Sequence, residues 1–119
     1  MPADSNTAGF SIQSSNDGHV AVVAVAGELD VTTAPALATA IDQQVASTPS
    51  ALIVDLSAVS FLASAAMTVL ATTQKDHGDT LAYSVVADGP TTSRPIKLMG
   101  LDQEFALHAD LESALAALD

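Results

Sequence analysis

The chain has 119 residues, 49% of them hydrophobic, and a formal net charge of −11 from 14 acidic and 3 basic side chains. This charge argues against binding to nucleic acid or to an anionic membrane surface, because both require a basic patch. The lack of cysteine excludes disulfides, thiolate catalysis and cysteine-ligated metal sites.

The amino-terminal segment, residues 1–9, is predicted to be a flexible lead to a single domain over residues 10–119. This lead lacks the basic and apolar regions of a signal peptide. No apolar run in the chain approaches the roughly 20 residues that a membrane span requires. We therefore expect a cytoplasmic protein.

The domain begins with a predicted hairpin. Residues 10–14 alternate apolar and polar side chains, as an edge strand does. Asn16-Asp17-Gly18 is a strong turn signal. Residues 20–26 form a nearly continuous apolar run that ends at Gly27, which predicts a central, covered strand.

A helix is predicted after this hairpin. Thr32 or Thr33 is its expected cap, and Pro35 lies in its first turn, where the missing N–H costs nothing. Its apolar residues recur at helical spacing from Ala34 to Val45, which indicates one buried stripe.

The most informative feature is the junction that follows. Residues 51–57 predict a buried strand, and residues 61–67 predict a tight turn that opens a helix. This helix is expected from about Ser64 to Asp76, because Gly78 stops it. Small residues at a helix N-terminus lie at the surface, where free backbone N–H groups favour anions. The junction is therefore the expected place of a functional site.

The rest of the chain predicts a strand over residues 81–87, a short helix over residues 93–99, a short strand over residues 105–108 and a last helix capped by Asp110. The complete order is thus β, β, α, β, α, β, α, β, α. A hairpin followed by βα units predicts an α/β fold with a mixed sheet of four to five strands. The short connections predict helices packed mainly on one face.

Catalytic and metal-binding signatures are absent from the sequence. Its isolated glycines build no phosphate-binding loop, and its three histidines show no metal-ligand spacing. Around Ser64, Leu62 and Ala66 replace the glycines of a hydrolase nucleophile elbow. Glu28 and Asp30 are typical of solvated turn residues rather than of an acid–base pair. We expect no enzyme activity, no cofactor and no metal.

Three segments together resemble the STAS domain of bacterial anti-sigma factor antagonists. They are GELDVTTAPAL at residues 27–37, VDLSAVSFLASAAM at residues 54–67 and LMGLD at residues 98–102. The match covers about residues 10–118, and the combination is specific although no single segment is. The resemblance implies one STAS-like domain with a mixed sheet, helices on one face and no catalytic activity.

The resemblance also implies a partner. Members of that family bind an anti-sigma factor that is a GHKL-type serine kinase, and they thereby free a sigma factor. The kinase then phosphorylates a serine of the domain, which breaks the complex. The alternative function is a STAS subunit of an ABC-type lipid transporter or a stress-signalling scaffold. We expect a monomer or a weak dimer.

The chain departs from the family at the phosphorylated turn. That turn typically reads Phe-x-Asp-Ser-Ser-Gly-Leu, and its second serine usually accepts the phosphate. Aligned on Phe61, the aspartate corresponds to Ala63, the first serine to Ser64, the phosphoacceptor to Ala65 and the glycine to Ala66. Because alanine has no hydroxyl, the usual switch cannot operate at position 65.

Ser64 is the candidate phosphoacceptor that this turn retains. Its alternative role is that of a helix cap, with its hydroxyl accepting from the N–H of Ala66 or Met67. The expected partner-binding residues lie in the loop after the first central strand and in the opening of the second helix. They are Glu28, Asp30, Thr32, Thr33, Ala63, Ser64, Ala65, Met67 and Thr68.

Overall fold

The computed structural model describes residues 6–7 and 9–118. Its strands are β1 (Asn6–Thr7), β2 (Phe10–Asp17), β3 (Val20–Leu29), β4 (Ala51–Leu62), β5 (Ala82–Val86) and β6 (Ala106–His108). Its helices are α1 (Ala34–Val45), α2 (Ser64–His77), α3 (Ser93–Leu98) and α4 (Leu111–Ala116), with a 3₁₀ turn at Leu101–Gln103.

These strands form a single mixed sheet in the order β1-β2-β3-β4-β5-β6. The pairs β1–β2 and β2–β3 are antiparallel, whereas β3, β4, β5 and β6 are parallel. The α/β fold class and the mixed sheet predicted from the sequence are thereby confirmed. Strands β2 to β6 are the predicted five, and the two-residue β1 adds a sixth within the segment predicted as a lead.

Side chains from alternate positions of the central strands point into two separate apolar layers. One layer holds Val23 and Val54, together with the buried faces of α1, α2 and α3. The other holds Val22 and Ile53, which α4 covers through Ala114. Three helices thus lie on one face, as predicted, and the continuous apolar runs of β3 and β4 reflect coverage of both faces.

Several strand boundaries differ from the prediction, and two of them concern the edge that carries the candidate site. Strand β3 continues through Gly27 to Leu29, and β4 continues through residues 58–62. The two extensions pair with each other after register shifts at Ala24/Ala26 and Gly27/Glu28. The prediction failed here because long-range pairing, rather than apolar alternation, holds these residues in the sheet.

Other local signals are confirmed in the structure. The hairpin between β2 and β3 is present as predicted, but it turns at Gly18 and His19, because Asn16 and Asp17 continue β2 opposite Ala21 and Val20. The Asp110 side chain caps α4 by accepting a hydrogen bond from the N–H of Ser113 at 2.7 Å.

Candidate functional site

The candidate site lies where the carboxyl ends of β3 and β4 meet. Leu29 pairs with Leu62 in the parallel register, and the N–H of Ala63 donates to the Leu29 carbonyl oxygen at 2.8 Å. The loop over residues 30–33 therefore lies beside the opening of α2. The structure thus brings together the two segments that the sequence predicted as one partner-binding surface.

The 30–33 loop is held by its own side chains. One carboxylate oxygen of Asp30 (Oδ1) accepts from the N–H of Thr32 at 3.0 Å, the Thr32 hydroxyl at 2.7 Å and the N–H of Thr33 at 3.1 Å. The Thr33 hydroxyl accepts from the Asp30 N–H at 2.8 Å and donates to the Glu28 carbonyl oxygen at 2.8 Å. This network is an Asx-type turn that fixes the loop before α1 begins.

The network corrects the expected cap of α1. Thr33 occupies the N-cap position of α1, but its side chain bonds backward into the loop and caps no helical N–H. That Asp30 binds a partner stays a prediction. Its Oδ1 atom is already engaged within the loop, so the exposed Glu28 carries the freer carboxylate of this surface.

These hydrogen bonds predict a pH dependence of the loop. The Thr32 hydroxyl, with the N–H groups of Thr32 and Thr33, favours the charged carboxylate and holds the pKa of Asp30 below its usual range. Since the folded-state pKa lies below the unfolded one, this stabilisation is present above the unfolded pKa and is lost as the pH falls through the folded value.

NMR measures this directly through the amide protons of Thr32 and Thr33. We expect their shifts to titrate together, with a midpoint below the ordinary aspartate value. The variant Asp30→Asn is the control, because it keeps an acceptor oxygen and removes the titrating proton. A midpoint at or above the ordinary value would contradict the hydrogen-bonded role of the carboxylate.

Helix α2 opens with Ala63, rather than Ser64, at its N-cap position. The carbonyl oxygen of Ala63 accepts from the N–H groups of Ala66 and Met67, each at 3.1 Å. The expectation that Ser64 caps the helix is therefore wrong, because β4 ends one residue before the cap and places Ser64 inside the first turn. The Ser64 side chain is exposed, and its hydroxyl forms no hydrogen bond with the described residues.

The remaining predicted contact residues differ in accessibility. Ala63 and Ala65 are half-buried, and Thr68 is exposed with its hydroxyl donating to the Ser64 carbonyl oxygen at 3.1 Å. Met67 packs partly against the core. Ala66, between these positions, is fully buried and offers no surface to a partner.

Two exposed apolar side chains at the site were not predicted as contacts. Val31 at the tip of the loop is 72% exposed, and Phe61, opposite Glu28 in the sheet, is 50% exposed. A cleft of about 440 Å³ lies between the loop and β4, and Ser60 lines it beside Glu28. An apolar residue inside a polar loop, as at Val31, is the sequence signal that could have identified this surface.

No group of three or more histidine, aspartate or glutamate side chains is placed to hold a metal ion within residues 6–7 and 9–118. Over the same residues, no helix combines the length and the apolar character needed to cross a bilayer. The site presents carboxylate, hydroxyl and apolar side chains on a hydrogen-bonded frame.

Comparison with known proteins places this chain in a family. Residues 11–114 match the STAS domain family. The anti-sigma-F factor antagonist RsfB of Mycobacterium tuberculosis is 48% identical over 99 residues, which are 83% of this chain and 81% of RsfB. These matches favour the antagonist interpretation over a transporter subunit or scaffold.

Solved structures agree with the sequence comparison. An anti-sigma factor antagonist from Mycobacterium paratuberculosis superposes with a TM-score of 0.88 at 45% identity, covering 95% of this chain and 97% of that one. A putative antagonist from Thermotoga maritima shares the fold at 15% identity, with a TM-score of 0.80 and coverage of 89% and 92%. This chain therefore belongs to the STAS domain family of anti-sigma factor antagonists.

Proposed function

We propose that this chain is a non-enzymatic regulatory protein that binds an anti-sigma factor and thereby frees a sigma factor. The observation that carries the proposal is its 48% identity, over most of both chains, to a protein named as an anti-sigma-F factor antagonist. Support also comes from the site, which offers exposed surface groups on a hydrogen-bonded frame.

The proposed binding surface consists of the end of β3, the 30–33 loop and the first turns of α2. Glu28 faces basic groups of the partner, while Val31 and Phe61 supply exposed apolar area. The small side chains of Ala63 and Ala65 let partner backbone approach the start of α2. Asp30 acts within this surface mainly by shaping the loop.

We further propose that the partner is a serine kinase of the GHKL type. Ala65 offers such a kinase no hydroxyl, so the usual phosphorylation cannot release the complex. Ser64 is the candidate acceptor, supported by its exposed hydroxyl and by its place in the first turn of α2, where the helix dipole favours a phosphate. Mass spectrometry after incubation with the kinase and ATP tests this; an unmodified Ser64 would contradict it.

A charge reversal at Glu28 tests the proposed surface. We expect Glu28→Lys to weaken binding of the anti-sigma factor at least about tenfold, because it opposes basic partner groups at the centre of the surface. The matched control is Glu104→Lys, which makes the same charge change at an exposed position before the amino end of β6. Calorimetric titration of both variants checks the result, and equal affinities would place the contact elsewhere.

A further inference from the structure

Four large apolar side chains of the described residues are exposed, and they fall into two separate patches. Val31 and Phe61 lie at the candidate site. Leu98 and Met99 lie at the end of α3 and are 74% and 65% exposed. Leucine and methionine side chains with so much exposed area leave apolar surface for a partner to cover.

The two patches carry opposite charge. Only three side chains of the chain are lysine or arginine, and two of them, Arg94 and Lys97, are exposed on α3. Arg94 and Leu98 stand four residues apart on this helix and so share one face. We call the surface of Arg94, Lys97, Leu98 and Met99 the basic patch.

The acidic patch is the surface of Glu28, Asp30, Val31 and Phe61. Each patch thus pairs two charges of one sign with two exposed apolar side chains. A groove of about 480 Å³ adjoins the basic patch, lined by Arg94, Lys97 and Leu98 and also by the carboxylate-bearing Asp88. Its volume admits an aromatic ring, and the Arg94 guanidinium can stack on the face of such a ring.

We propose that the basic patch of one copy of this chain binds the acidic patch of a second copy. Because the two patches are different surfaces, the contact is head to tail and leaves one patch free at each end. The interface is small and both copies carry a net charge of −11, so the association is weak. It does not depend on the proposed function. If that function holds, self-association masks the partner-binding surface.

Complementary variants test the head-to-tail geometry. Glu28→Lys disables the acidic patch and Lys97→Glu disables the basic patch, so each variant alone is expected to lose self-association at least about tenfold. Mixed together, they retain one intact patch each and form a 1:1 dimer that cannot extend. Sedimentation velocity from about 10 μM to about 1 mM, a range suited to weak contacts, measures the masses.

NMR locates the contact in the mixture. With labelled Glu28→Lys chain, shifts are expected at residues 94–99; with labelled Lys97→Glu chain, they are expected at residues 28–31 and at Phe61. The matched control is Lys75→Glu, which reverses an exposed lysine in the last turn of α2, as Lys97 is in the last turn of α3. It should associate like the native chain, and circular dichroism verifies that all variants are folded.

Several outcomes overturn the proposal. A native chain that stays monomeric at about 1 mM has no such contact. Single variants that associate as well as the native chain, or a mixture without dimers, exclude the pairing of these patches. If Lys75→Glu loses as much self-association as Lys97→Glu, the loss is caused by the change in net charge and not by the basic patch.

Discussion

Replacing Gly27 by alanine is expected to destabilise the fold by about 3 kcal/mol or more. Gly27 has φ +101 within β3, a backbone conformation that side chains with a Cβ rarely adopt. A Cβ at this position would also meet the backbone of Gly9 and would lie 2.9 Å from the Cα of Phe10. Backbone atoms cannot swing aside as a flexible side chain can, so the start of β2 must separate from β3.

Unfolding in urea, followed by circular dichroism, measures this loss. The matched control is Gly18→Ala, because Gly18 also has positive φ but a Cβ added there would meet no atom within 4 Å. The control isolates the conformational strain, which costs about 1–2 kcal/mol. Equal losses for the two variants would show that the close approach of Gly9 to Gly27 does not contribute.

The elements whose signals are local could be predicted from the sequence. Helix α2 was expected from about Ser64 to Asp76 and runs to His77, because the turn before it and Gly78 after it are local signals. The cap of α4 could also be predicted, because the Asp110 side chain accepts from an N–H only three residues away, that of Ser113. The mixed sheet followed from the order of hairpin and βα units.

The features set by pairing between distant residues could not be predicted. The length of β4 depends on its register with β3, and that register decides which residue caps α2. A shift of one position at Ala63 changed Ser64 from a cap to a free hydroxyl. Likewise, the sequence shows that Asp30 is charged, but it does not show that Thr32 and Thr33 donate hydrogen bonds to its carboxylate.

The next prediction concerns whether ATP dissociates the complex of this chain with the proposed anti-sigma factor. We expect ATP not to release the complex of the native chain with its anti-sigma kinase by the family's usual route, because position 65 lacks a hydroxyl and Ser64 is the one hydroxyl in residues 61–67. The variant Ala65→Ser restores the acceptor that the family uses. Its complex should dissociate when ATP is added, with affinity reduced on the order of a hundredfold, because phosphate adds up to about two negative charges at the binding surface.

The structure is compatible with this substitution. Ala65 is half-buried in the first turn of α2, so a hydroxyl there reaches solvent and is not left buried without a partner. The helix dipole favours a phosphate at this end of α2, so the folded domain tolerates it. The complex does not, because the phosphate adds negative charge at the binding surface.

Adding Ser64→Ala to the native chain and to Ala65→Ser distinguishes the hydroxyl at position 64 from the one at position 65. The double variant Ala65→Ser, Ser64→Ala should still be released by ATP, since its acceptor is at position 65. Release of the native chain that disappears in Ser64→Ala would instead make Ser64 the switch. Release that persists in Ser64→Ala alone would contradict both assignments, because residues 61–67 then contain no hydroxyl, and the regulated site would lie outside the opening of α2.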